Sequence, residues 1–237
     1  MSRQMNSHQL KMHNRALSAT RRLQAQLNET PDGFWGGDSQ AALLCSSKQV
    51  GYDWDKLRAH FGSFKQSQVD GFNAVLDAIN KYNSDAITPA FIAYMLATAW
   101  HETAHTMLPI AEYGKGRGRK YGSNVDIDGS RYEGLPHIYY GRGYVQLTWL
   151  SNYVKMGKLL NIDLVNNPDL AMQPKHAADI MIAGMLGGLF TGLSLSRCIT
   201  YGLYFEFIQA RKIINGTDKD DAIADYAVNF LDSLVVS

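Results

Sequence analysis

The stretch "TPAFIAYMLATAWHETAHTM", residues 88–107, decides how the chain is read. Thr88 followed by Pro89 is a capping residue with proline in the first turn, and together they open a helix running toward His105. Along it Ile92, Met95, Ala99 and Glu102 fall on one face at 3-4-3 spacing. A carboxyl group leaving an apolar face is partly desolvated, which disfavours its charged form and suits a general acid. The plainer reading of the same periodicity is a solvated glutamate at a fraying helix end. The stretch also spells H-E-x-x-H through His101, Glu102 and His105. If the helix continues, the histidines lie one turn apart and can share a zinc ion, with the glutamate as base. A zinc protease needs a third ligand. The positions where the longer motif carries Gly and His are Leu108 and Ala111 here. Pro109 also threatens the helix close to the second histidine. Glu133 or Glu206 would have to complete the site, so zinc is the second reading and proton donation by Glu102 the first.

Around this segment the chain reads as ordinary soluble globular material, with 237 residues, 46% hydrophobic and 19% charged. A net charge of +1 gives no reason to expect nucleic acid or an anionic membrane as partner. Cys45 and Cys198 are too few and too far apart for a disulfide framework. The N-terminal residues "MSRQMNSHQLKMHNR" contain no apolar run, so no signal peptide is expected. The uncharged run 180–196 is short for a membrane span and reads as a core helix ending near Gly187-Gly188. Phe64, Val69, Phe72, Val75, Leu76 and Ile79 fit another helix face. Pro174 and the segment after Lys219 open two more helices. A boundary is expected near residues 46–54. Before it lies a small unit, with Leu17, Leu23 and Leu27 in a helical stretch, a turn at Asp32-Gly33 and a helix cap at Asp38.

Residues 113–143 differ from the rest. They hold eight glycines, and five Lys/Arg by Arg131, with little apolar periodicity. A loop of that length is usually functional or mobile. A solvated basic surface and the lining of a polymer cleft are equally weighted readings of it. It matches neither phosphate-binding glycine motif. Next, "YVQLTW", residues 144–149, alternates: Tyr144, Gln146 and Thr148 are expected on an available polar face, and Val145, Leu147 and Trp149 on a buried one. Glu112 opens the loop and is a candidate base to pair with Glu102. Inverting glycoside hydrolysis uses two carboxyls roughly 6.5–9.5 Å apart with a water between them. Asp126, Asp128 and Glu133 compete for that role.

Taken in order, "HETA" (101–104), "AEYGKGRGRKYG" (111–122), "YYGRGYVQLTW" (139–149), "NNPDL" (166–170) and "ARKIING" (210–216) resemble glycoside hydrolase family 19. The resemblance is closest to its phage and prophage endolysin branch and covers roughly residues 55–235. It implies that Glu102 is the general acid and Glu112 the base. It also puts Thr148 on the residue that holds the attacking water, and His101, Tyr144, Gln146, Asn152 and Asn215 in the substrate cleft. Leu150 and residues 196–207 depart from the family pattern. The segment "RRLQAQLNETPDGFWGGDSQAALL" (21–44) resembles a small helical peptidoglycan-binding domain, without its usual closing Phe-Gln. A helical extension packed on the catalytic domain is the alternative there.

The expected fold is therefore mainly α: a lysozyme-like, two-lobed helical catalytic domain at 53–237, preceded by a small helical domain at 1–50. The resemblance implies an inverting hydrolase of β-1,4 bonds in bacterial peptidoglycan, or in chitin-like oligomers, that needs no cofactor and no metal. A monomer is expected, without nucleic acid or stable membrane insertion. It would be held in the host cytoplasm until a holin-like pore releases it to the wall. The rival readings are a zinc endopeptidase acting on peptidoglycan cross-links and a non-catalytic wall-binding protein.

Overall fold

The computed structural model describes residues 5–237 except 47, 83–84, 120, 122–124, 128–129, 134–136 and 215. Its helices are α1 (Ser7–Gln26), α2 (Gly37–Cys45), α3 (Trp54–Phe61), α4 (Gln66–Tyr82), α5 (Pro89–Glu102), α6 (Leu150–Leu160), α7 (Pro174–Gly187), α8 (Leu195–Cys198), α9 (Tyr204–Ala210) and α10 (Asp220–Ser233). Short strands form three antiparallel pairs: β1 (Val50–Tyr52) with β6 (Leu234–Val236), β2 (Ile110–Ala111) with β5 (Arg142–Gly143), and β3 (Val125–Ile127) with β4 (Ser130–Tyr132). The mainly α class expected from the sequence is the one observed.

Helix α5 is the axis of the core. Thr88 Oγ1 accepts from Phe91 N at 3.2 Å, Pro89 occupies the first turn, and every residue from Pro89 to Trp100 is buried. A helix apolar on all sides needs neighbours on all sides. Helix α10 supplies the largest contact, with α4 and α7 adding to it. At the C-terminal end of α5 the rings of Phe72 and Trp100 stack at 5.9 Å, and Phe61 and Phe230 stack at 4.5 Å beside them. That aromatic cluster fixes the last turn of α5, and so the direction in which Glu102 leaves it.

Helix α7 closes as expected, with Gly188 in the left-handed region at φ 65°. Helix α2 corrects an expectation. It starts at Gly37 with Gly36 as N-cap, so Asp38 sits inside the first turn. There its charge complements the helix dipole instead of capping the amides.

Helices α1 and α2 and strand β1 share the core of the rest. Helix α1 lies along α10, with Met12, Ala16, Ala19 and Leu23 buried. Arg15 donates to Asn229 at 2.8 Å, and Arg22 pairs with Asp232 at 2.7 Å. Asp232 also receives Lys56 at 3.2 Å and His60 at 2.8 Å, so one carboxylate ties α1 and α3 to α10. Burial works against that charge, but hydrogen bonds from His60, Arg22 and Lys56 hold the Asp232 carboxyl well below the usual range. Strand β1, at the expected boundary, pairs with the C-terminal strand β6, Val50 opposite Val236.

Candidate active site

Glu102 is the last residue of α5. Its side chain is 17% exposed, and its Oε1 accepts from Arg211 Nη1 at 2.7 Å. Arg211 is buried, 2% exposed, and its Nε donates to the Asp218 carbonyl at 2.8 Å, so the guanidinium is held from both ends. Neither sequence expectation describes this setting. Glu102 is neither a solvated glutamate nor one ringed by apolar groups, but one half of a partly buried ion pair. Arg211 stands in the "ARKIING" stretch; its role depends on a contact across 109 positions, for which local periodicity carries no signal. Beside Glu102, burial pushes the His101 imidazole below its usual value, with the Glu102 charge working the other way. The balance favours the uncharged form of the His101 ring.

The chain leaves the helix immediately after Glu102. Thr103 is the C-cap; its Oγ1 donates to the Ala99 carbonyl at 2.7 Å and accepts from Met107 N at 3.1 Å. Ala104, His105 and Met107 then take left-handed φ values of 48°, 67° and 54°. His105 is consequently not one helical turn beyond His101. Its ring stacks on Trp100 at 4.8 Å, and its Nε2 lies 3.1 Å from the Tyr226 hydroxyl. This corrects the zinc reading, because H-E-x-x-H supplies a metal pair only on a continuous helix. The proposed third ligands are engaged elsewhere. Glu206 accepts from the backbone amides of Thr200, Tyr201 and Leu203, and Glu133 is exposed and paired with Arg131.

Facing Glu102 is the wall built by residues 139–152. Glu112 and Gly141 exchange two hydrogen bonds: Glu112 N donates to the Gly141 carbonyl at 2.7 Å, and Gly141 N donates to Glu112 Oε2 at 3.0 Å. A Cβ placed on Gly141 would lie 2.7 Å from Gln146 Oε1 and 3.2 Å from Thr148 Oγ1, so a larger residue here would require the Gln146 amide to move. Gln146 Nε2 donates to the Ile110 carbonyl at 3.1 Å, and Thr148 Oγ1 to the Gln146 carbonyl at 2.7 Å. Asn152 Nδ2 donates to the Thr148 carbonyl at 2.9 Å. Behind the wall the buried Arg142 bonds Asp169, the carbonyls of Ile138 and Tyr140, and the Tyr153 hydroxyl, with the Tyr140 ring 3.5 Å from its guanidinium carbon.

The alternation expected for residues 144–149 holds for Val145 to Thr148 and fails at Tyr144 and Trp149. Gln146 and Trp149 have φ of 52° and 75°, values no strand adopts. The segment is made largely of turns, and the exposure of its two end residues is reversed. Tyr144 is fully buried, its hydroxyl has no partner among the described residues, and burial pushes it up to about 12. It does not face the cleft. Trp149, expected inside, is 50% exposed and meets Tyr121 edge to face at 4.9 Å.

Together these residues line a cleft of about 450 Å³ formed by Glu102, Tyr121, Val145–Trp149, Asn152, Phe190 and Ile214. Of the residues named from the sequence, Glu102, Gln146, Thr148 and Asn152 meet there. His101 stands beside Glu102, and Glu112 stands one residue behind the wall, through Gly141. Asn215 and Asp128 lie outside the described residues. Asp126 is in β3, opposite Arg131. Tyr121, Phe190 and Ile214 enter the cleft from three separate loops; Tyr121 and Ile214 stand in stretches that carry the family resemblance, whereas no motif marks Phe190.

Residues 72–183 match the family model for chitinase class I, glycoside hydrolase family 19. The matched segment contains Glu102, Glu112, Gln146, Thr148 and Asn152, and excludes α1, α2 and Arg211. An acidic endochitinase from Dioscorea japonica is 36% identical over 145 residues, covering 58% of this chain and 48% of that protein. An acidic endochitinase from Petunia hybrida is 34% identical over 103 residues, covering 39% of this chain and 41% of that protein. The chain thus spans under half the length of both relatives. Chitinase C from Streptomyces griseus superimposes with a TM-score of 0.51 at 21% identity, covering 75% of this chain and 72% of that one. The mainly helical fold is similar to that of this bacterial chitinase.

Proposed function

We propose that this protein is a glycosidase that cleaves β-1,4 bonds of an amino-sugar polymer with inversion. The observation that carries the reading is Glu102, a partly buried carboxyl on the rim of an open cleft, inside the segment that matches the family 19 model. Glu102 donates a proton to the leaving glycosidic oxygen. Arg211 holds Oε1, which sets the orientation of the carboxyl group. Glu112 removes a proton from the attacking water, and Thr148 positions that water on the opposite side of the sugar ring. Gln146, Asn152 and His101 bind the sugar hydroxyl and acetamido groups. The groups that move protons are carboxyls, so the reaction requires no metal or organic cofactor.

The polymer proposed is bacterial peptidoglycan. In this reading residues 1–50 help to hold the wall, and the protein acts as an endolysin-type monomer that reaches its substrate through a holin-like pore. The test is mass spectrometry of fragments released from purified sacculi by the wild type and by Glu102→Gln. Glutamine keeps an acceptor for Arg211 but has no proton to give. General acid catalysis is worth about 10²–10⁴-fold, so muropeptide release should fall by at least that order while sacculus binding persists. Equal release by both proteins would remove Glu102 from the chemistry. Fragments cut only in the peptide would remove the glycosidase.

A further inference from the structure

We infer that Lys115, Arg117 and Arg119 form a cationic rim selecting glycans that carry carboxylate side groups over neutral ones; this rests on the glycosidase reading. Three consecutive turns shape the segment. Lys115 N donates to the Glu112 carbonyl at 3.0 Å, Arg117 N to Gly114 at 3.0 Å and Arg119 N to Gly116 at 2.9 Å. Gly114, Gly116 and Gly118 alternate with the cations at φ of 82°, 70° and 77°, left-handed values that keep the turns tight and the long side chains outward. All three cations are exposed, and among the described residues none of them enters an ion pair. Elsewhere Arg22, Lys56, Arg142 and Arg211 each face a carboxylate. Among the described residues Lys115, Arg117 and Arg119 thus place three unpaired positive charges within five residues, in a chain whose net charge is only +1.

Its place makes the charge matter. The first turn hangs on Glu112, the proposed base. Gly116 is buried under Tyr121, whose Cδ2 would lie 2.9 Å from a Cβ there, and Tyr121 lines the cleft against Trp149. A polymer leaving the cleft on this side passes beneath the cations. Neutral chitin offers them no partner. A glycan bearing carboxylates, as the peptide stems of peptidoglycan do, brings an anion at every stem. Charges of one sign at a cleft lip raise the local concentration of an oppositely charged substrate, and salt screens the effect beyond about 8 Å at physiological ionic strength.

The experiment compares one backbone with and without carboxylates, carboxymethyl-chitin and neutral glycol chitin, using the wild type and the triple variant K115Q/R117Q/R119Q. A charge-keeping variant, K115R/R117K/R119K, is the control. At low salt the triple variant should raise KM for carboxymethyl-chitin about tenfold. It should also lose most of the salt dependence of kcat/KM and change glycol chitin hydrolysis less than about twofold; the control should behave as wild type. An equal loss on both polymers, or none on either, would overturn the rim. So would a control that fails like the triple variant. If the wild type cleaves neither polymer, chitin is not its substrate, and the glycosidase reading falls only if it also releases no glycan fragments from sacculi. The rim is then judged by sedimentation with sacculi, where the triple variant should be released at lower salt, and unchanged release would refute it.

Discussion

The helix at 88–102 and the glycine-rich segment at 112–149 build opposite walls of one cleft by opposite means. The helix is buried on all sides and stands in an aromatic cluster, so Glu102 is aimed by packing. Among its described residues the segment has only short strands as regular structure. It aims Gln146 and Thr148 through side-chain to backbone hydrogen bonds, left-handed residues and the buried Arg142. Packing tolerates local change because many contacts share the load. A wall of turns depends on single backbone groups, so one atom in the wrong place is costly. The two sides should therefore answer mutation differently.

The sharpest probe of the second wall is Gly141→Ala. Its Cβ cannot coexist with Gln146 Oε1 at 2.7 Å, and relief must move the Gln146 amide, with Thr148 Oγ1 next at 3.2 Å. A displacement of about 1 Å can cost on the order of 10²-fold in rate, and that loss in kcat is expected with little change in melting temperature. A variant as active as the wild type would show that the knot around Gly141 is loose.

The helical side should lose stability before activity. Asp232 draws three cations to the junction of α1, α3 and α10, and Asp232→Asn should cost about 2 kcal/mol at neutral pH. The sign follows from its lowered folded-state value. The contribution is fully present above the unfolded carboxyl value of about 3.9 and is lost as pH falls below it toward the folded value. Denaturant titrations of both proteins should thus show a gap that is constant near neutrality and narrows below about pH 4. A gap that widens in acid would contradict the assignment.

The same contrast explains what the sequence made legible. Thr88-Pro89, the Gly188 stop and the apolar faces of α4 and α5 are local patterns, and the helices formed where those patterns put them. Residues 144–149 also show a local pattern, but the fold overrides it at both ends. Gln146 and Trp149 adopt left-handed backbone, which reverses the expected exposure of Tyr144 and Trp149. Arg211 reaches Glu102 from a different part of the chain, and no spacing rule connects the two. His105 matches a metal motif by residue type alone; the helix needed to give the motif meaning ends at Glu102.

That last point gives the most direct measurement: rates of glycan hydrolysis by the wild type, Glu102→Gln and His105→Ala, side by side on one preparation of sacculi. His105 stacks on Trp100 and meets Tyr226, so its loss should cost about 0.5–1.5 kcal/mol of stability. Activity should stay within about threefold of wild type, against the drop of about 10²-fold or more for Glu102→Gln. A folded His105→Ala protein as inactive as Glu102→Gln would contradict the account and return H-E-x-x-H to the zinc reading.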